Sequence, residues 1–247
     1  MTHPTVVLLP GSLCDERLFM HQVVALEHAG FDVIVAELRP HISIQAMAEH
    51  VADLVEGPFV AVGLSLGGIV AAALAEQCPE RLAGVALFDT NLAAPSQEQL
   101  DQRREWEATV RSGKLWHLVA QELVPVQTSD PERNGQLIFA MAETASSAGF
   151  ISENAALLDR HDRRDVLAGL SCPVLVACGD EDIVCPPALH RELATRVPGA
   201  RLEGIPGAGH LATIDQPAAV SDLLIDWLEP ISTEIKTLEG NHAHDPA

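Results

Sequence analysis

An apolar run over residues 59–62 passes through Gly63-Leu64-Ser65-Leu66-Gly67-Gly68 directly into an Ala-rich helical pattern over residues 69–76. A strand that becomes a helix within so few residues must turn sharply, and beside the apex of such a turn a side chain would clash. Gly63 and Gly67 meet that need. The turn lifts the Ser65 hydroxyl clear of a sheet edge and sets the Leu66 N–H at a helix N-terminus, where unpaired donors and the helix dipole favour negative charge.

The rest of the chain repeats this alternation. Strands are expected over 5–9, 32–35, 59–62, 82–88, 173–178 and 200–202, each bounded by Gly, Pro or a charged residue, with helices over 18–28, 44–55, 66–77, 187–197 and 217–227. The pattern predicts an α/β fold class, a mostly parallel sheet flanked by helices. Between residues 92 and 170 the strands give way to Gln/Glu/Arg-rich segments with apolar residues at helical spacing, punctuated by Pro95, Gly113, Pro125, Pro131 and Gly149 into about four helices. We expect residues 92–170 to be a helical cap inserted into a core made of 1–91 and 171–247. The tail from residue 238 is expected to fray, so the metal-like spacing of His242 and His244 is read as a tail feature.

Composition narrows the class of partner. The net charge is −20, which opposes binding to nucleic acid or an anionic membrane, and a small-molecule substrate is expected instead. The 47% hydrophobic content suffices for a large core, yet no apolar stretch approaches the roughly 20 residues of a membrane span. The N-terminal stretch has neither Lys nor Arg and no signal-like apolar run, and Cys14, Cys78, Cys172, Cys178 and Cys185 form no CxxC pair. A cytoplasmic protein with reduced thiols is expected, with Cys14 and Cys185 in loops close to the chemistry.

A serine hydroxyl needs a base to become a nucleophile, and the base needs a carboxylate to orient it. His210 lies in a Gly-rich loop after the last expected strand, whereas His21, His28, His50 and His190 lie within helical patterns. It is the candidate base. The acid comes from Asp180, Glu181 or Asp182, which share the loop after the 173–178 strand, with Asp182 foremost and Asp89 at another strand end as the rival. A second oxyanion donor is sought in the loop 10–15 after the first strand, where the Ser12 N–H is our choice and an ordinary strand-to-helix turn the alternative. Asp15 there could cap the following helix.

With these motifs in order, the chain resembles the α/β-hydrolase superfamily over nearly its whole length: LLPGSLCDERLF resembles the first conserved loop, GLSLGG the nucleophile elbow, CPVLVACGDEDIVCPP the acid strand and loop, and IPGAGHLATIDQP the histidine loop. Pro10 departs from the pattern, standing where many members have His. The resemblance implies Ser65 as nucleophile, His210 as base and Asp182 as the acid, with no metal or organic cofactor. It further implies a serine esterase or lactonase working through an acyl-enzyme. A carbon–carbon bond hydrolase or lyase with the same three residues, and a non-catalytic binding member of the fold, are the alternatives. The recognised motifs contain no Arg or Lys that would bind a substrate carboxylate, which favours a neutral or apolar substrate, with Trp106, Leu115, Trp116, Phe139, Met141 and Phe150 of the cap as candidate pocket lining.

Overall fold

The computed structural model describes residues 3–242, with side chains described for residues 3–232. The tail expectations concerning residues 238–247, including His242 and His244, lie outside the described side chains.

Six strands form one parallel sheet in the order β2-β1-β3-β4-β5-β6: β1 Thr5–Leu9, β2 Val33–Val35, β3 Phe59–Leu64, β4 Leu82–Phe88, β5 Val174–Gly179 and β6 Arg201–Ile205. The central strands are apolar at successive positions because both their faces are covered. Val6, Leu8, Val60, Val62 and Leu175 point into one buried layer, with Leu26 of α1 (Met20–His28) and Leu224 and Trp227 of α10 (Pro217–His242). Their alternates Val7, Leu9, Ala61, Val85 and Val176 point into the other, with Met47 of α2 (Ile44–Asp53), Leu74 of α3 (Leu66–Gln77) and Leu193 of α8 (Pro187–Arg196). This period of two follows from the pleat.

Chain order fixes where a site can form. β1 leads outward to β2 on one side and pairs with β3 on the other, so the winding reverses between β1 and β3. The loops leaving the carboxyl ends of these two strands diverge and open a crevice between them. Loop 10–15 and Ser65 stand at its rim.

Between β4 and β5 the chain is helical: α4 (Gln97–Arg111), α5 (Leu115–Leu118), a π turn (Val119–Leu123), α6 (Val124–Gln127) and α7 (Pro131–Leu158). α4 starts with a capping box in which Ser96 Oγ accepts from the Gln99 N–H and the Gln99 side chain accepts from the Ser96 N–H. One punctuation mark and one expected helix end behave differently from expectation. The interruption of α7 falls at Ser146 (φ 64°), not at Gly149, which stays helical and whose missing Cβ leaves room for the Arg39 side chain, with Cδ 2.9 Å from that position. The last helix runs on past residue 227 and through Pro230, with Asp226 and Glu229 on its exposed side. Among the described residues no helix is long and apolar enough to cross a membrane.

Candidate active site

Ser65 occupies the apex between β3 and α3 with φ 54° and ψ −112°, a conformation that costs a non-glycine residue on the order of 1–3 kcal/mol and persists only where its surroundings hold it. They do so from three sides. The Ser65 N–H continues the sheet ladder to the Phe88 carbonyl at 3.0 Å, and its carbonyl accepts from Thr90 Oγ1 at 2.7 Å. A Cβ on Gly63 would run into the Gly67 carbonyl, and one on Gly67 into the carbonyl of Leu9. The second contact matters for the site, because it lets the end of β1 lie against the first turn of α3. It brings loop 10–15 beside Ser65.

His210 and Asp182 arrive from the other side of the crevice. Gly179 closes β5, and any side chain there would strike the carbonyls of Ala208 and Gly209, so the acid loop and the histidine loop pack backbone against backbone. The Glu181 N–H donates to the Ala208 carbonyl at 2.9 Å, which fixes their register. Asp182 Oδ1 accepts from the N–H groups of Val184 and Cys185 at 2.8 and 2.9 Å, leaving Oδ2 for His210 Nδ1 at 2.9 Å. His210 Nε2 lies 3.0 Å from Ser65 Oγ. Burial alone would raise the Asp182 carboxyl, but His210 and the two N–H donors more than offset it, and its pKa lies below the ordinary carboxylate range. Thus Ser65, His210 and Asp182 form one hydrogen-bonded chain.

The competing acids lie elsewhere. Asp180 and Glu181 are exposed. Asp89 is fully buried, accepts the Gly179 N–H at 2.7 Å, and has its carboxyl pushed well above the usual range by burial and by Asp182. His190, also fully buried, has Nε2 bonded to the Thr90 N–H at 2.9 Å, and burial lowers it to about 4. Asp15 caps the short helical turn Glu16–Phe19 and pairs with Arg17.

Ser12, Ser65 and His210 line one cavity of about 100 Å³. Leu66 is the first residue of α3, so its N–H has no acceptor inside the helix. The Ser12 loop is held by Glu153 from α7, whose Oε2 accepts from both Ser12 Oγ and the Leu13 N–H at 2.8 Å each, while Arg39 lies 3.6 Å from Oε1. Burial dominates the Glu153 carboxyl and raises it to about 7.

Of the six apolar residues expected around the pocket, Trp106 and Phe150 line it. Leu115 and Met141 are buried in the core, and Trp116 is 45% exposed against Phe139 on the outer surface. The lining is not wholly neutral, since Arg103 of α4 also reaches it. Sequence reasoning missed Arg103, Glu153 and one more residue, Asp215 of α9 (Ala212–Asp215). Asp215 accepts from the Gly209 and Ser129 N–H groups at 2.7 and 2.9 Å and from the Thr128 hydroxyl, so it ties the histidine loop to the start of α7. Glu153 did carry a signal, being spaced three residues after Phe150 and four before Leu157 on a buried face.

Among the described residues the metal-ligand types that come closest together are Asp182, Cys185 and His210, which belong to this same site. The Cys185 thiol is held well above its ordinary pKa by burial and by Asp182 and Asp89, while Asp182 and His210 are bonded to each other. Cys14 is likewise raised, mainly by burial, so neither thiol near the site is a ready nucleophile.

Comparison with known proteins places this geometry. The model of the alpha/beta hydrolase family matches residues 6–223. A thermophilic esterase from Thermogutta terrifontis superposes with a TM-score of 0.86 at 30% identity, covering 94% of this chain and 91% of that one. An enol-lactonase from Burkholderia xenovorans superposes with a TM-score of 0.79 at 25% identity, covering 92% of each chain. A Mycobacterium tuberculosis protein named as a non-heme bromoperoxidase is 26% identical over 231 residues, 85% of this chain and 88% of its own. The chain belongs to the alpha/beta hydrolase family and is a hydrolase.

Proposed function

We propose that the chain is a serine hydrolase that cleaves a carboxylic ester or lactone of a small substrate through an acyl-enzyme on Ser65. Ser65 Oγ attacks the carbonyl carbon as its proton passes to His210 Nε2. Asp182 holds the Nδ1–H tautomer and stabilises the imidazolium. The Leu66 and Ser12 N–H groups receive the developing oxyanion, His210 returns the proton to the departing alkoxide, and water then attacks the acyl group by the same route. Residues 92–170 act as a cap that shapes the pocket and contributes no member of the reacting set.

The observation that carries this reading is the unbroken chain from Ser65 Oγ to His210 at 3.0 Å and from His210 to Asp182 at 2.9 Å at the wall of an open cavity. The esterase and enol-lactonase named above support the choice of carbonyl substrate. A fluorophosphonate probe should label the protein on Ser65, and Ser65→Ala should abolish both labelling and hydrolysis of p-nitrophenyl esters while the thermal transition stays in place. Turnover within about tenfold of the parent would remove Ser65 as nucleophile, because an essential serine costs several orders of magnitude.

A further inference from the structure

Nearly all the cations of this acidic chain of net charge −20 are arginines, and the structure pairs most of their guanidiniums with carboxylates: Arg17 with Asp15, Arg39 with Glu37, Arg104 with Asp101, Arg163 with Glu76, Arg201 with Asp226. Arg81, which donates to backbone carbonyls only, departs from this habit away from the site, and Arg103 and Arg160 depart from it beside the site. Arg103 Nη1 donates to Asn154 Oδ1 at 3.3 Å, and Arg160 Nε and Nη1 donate to the carbonyls of Ala93 and Leu157 at 3.2 Å each. All those partners are neutral, and among the described residues neither guanidinium forms an ion pair. Arg160 is 8% exposed. Burial, and then the charge of Arg160, lower Arg103 to about 10, so it keeps its proton at neutral pH.

Two unneutralised guanidiniums near each other, Arg160 buried and Arg103 half-buried, repel one another unless an anion joins them. Both line one pocket of about 250 Å³, with the exposed Glu98 among the other residues of its wall. That pocket is continuous in its walls with the Ser65 cavity, because Arg103, Trp106 and Val184 line both. The Trp106 ring lies 6.0 Å from the Arg103 guanidinium carbon and so supports it from one side. Glu153, the buried acid nearest this region on α7, is already engaged by Ser12, Leu13 and Arg39.

We infer that the substrates are esters or lactones bearing a free carboxylate, which seats on Arg103 and Arg160 while the scissile carbonyl lies at Ser65. This rests on the ester-hydrolase reading above and replaces the neutral substrate expected from the motifs. A planar carboxylate matches the guanidinium fork, accepts two parallel hydrogen bonds and cancels one of the two charges, which relieves their mutual repulsion. The pocket lining also sorts the substrate by length, since the anion and the carbonyl must reach their sites together.

The test compares monomethyl with dimethyl esters of glutarate, adipate and suberate, using purified full-length protein. For at least one chain length the half-ester should exceed the diester in kcat/KM by about tenfold or more, the scale set by a charge-assisted hydrogen bond. In Arg103→Gln the ratio should fall to about one, chiefly through KM for the half-ester, and Arg160→Gln should reduce it in the same direction. Arg104→Gln, on the same helix but exposed and paired with Asp101, should leave the ratio at the parent value. The ratio is taken within one preparation, so partial unfolding of a variant does not change it. Equal or better use of the diester by the parent, or a preference that survives Arg103→Gln, overturns the inference. Fluorophosphonate labelling separates the two levels. Labelling with neutral-ester turnover but no half-ester preference sinks the anionic substrate alone, whereas no labelling and no turnover sinks the ester-hydrolase reading and the inference with it.

Discussion

Three aspartates converge on the loops around His210, and they differ in what each carboxylate touches. Asp182 is bonded to the imidazole, Asp89 to the Gly179 N–H, and Asp180 projects into solvent. Asp182→Asn should therefore cost turnover by orders of magnitude, as the same change in the serine-protease triad costs about 10⁴. Asp89→Asn keeps an oxygen for the Gly179 N–H and should stay within about tenfold of the parent, and Asp180→Asn should be milder still because its field is screened. Steady-state rates of all three on one activated ester, at matched folded concentration, check the order. A crippled Asp89→Asn would move the acid to β4. The glycines of the elbow were legible in the sequence because sterics leave those positions no alternative. The choice among Asp180, Glu181 and Asp182 was less so, since three adjacent acids look alike until the turn formed by the Asp182 N–H and the Gly179 carbonyl, 3.2 Å apart, aims one of them inward.

At the level of elements, strands were legible to within two residues at each end, except that β6 runs three residues beyond its expected end, to Ile205. Their apolar runs are fixed by burial on both faces, a constraint local enough to read along the chain. The helices after β4 were legible as helices but not as pocket walls, because an amphipathic pattern says that a face is buried without saying against what. Trp106 and Trp116 illustrate the difference: ten residues apart in similar surroundings, one lines the Ser65 cavity and the other lies outside on Phe139. Trp106→Ala should shift acyl-length preference across a p-nitrophenyl ester series, measured relative to the acetate ester. Trp116→Ala should leave that preference unchanged, and a shift of equal size in both variants would mean that the segment acts on the site through its packing. The break at Ser146 also belongs to this scale, for it separates the part of α7 packed near α6 from the part that delivers Phe150 and Glu153 to the site.

For the molecule as a whole, two buried groups pull its acid stability in opposite directions. Glu153 rises from 4.5 to about 7 on folding, so the folded state takes up its proton first as pH falls, and stability grows through that window. His190 falls from 6.5 to about 4, so the unfolded state takes up its proton first, and stability declines through nearly the same window. Each shift corresponds to something on the order of 3 kcal/mol at most, so the two largely offset between about pH 7 and pH 5. Glu153→Gln, whose amide oxygen can still accept from Ser12 and Leu13, should remove one side of the balance. Relative to the parent, its urea midpoint should drop as pH is lowered from about 7 to about 5. A parent and variant that change in parallel would show that Glu153 does not titrate in this range.

The bonds that join the helices after β4 to the rest of the molecule are unevenly distributed. Glu153 grips Ser12 and Leu13, Arg17 reaches the Ala140 carbonyl and Thr144, the Leu211 N–H donates to the Gln127 carbonyl, and Asp215 holds Ser129 and Asn134. Those attachments lie along loop 10–15, the short helical turn Glu16–Phe19 and the histidine loop, while the flank formed by α4 and the exposed Ile183 and Val184 carries no comparable strap among the described residues. On the proposal that these helices roof the Ser65 cavity, the unstrapped flank is the expected way in. Entry there would run past Arg103 and Trp106, so the same side chains would meet a compound on arrival and its fragments on departure, and the doorway itself would become a place where choice among compounds is made.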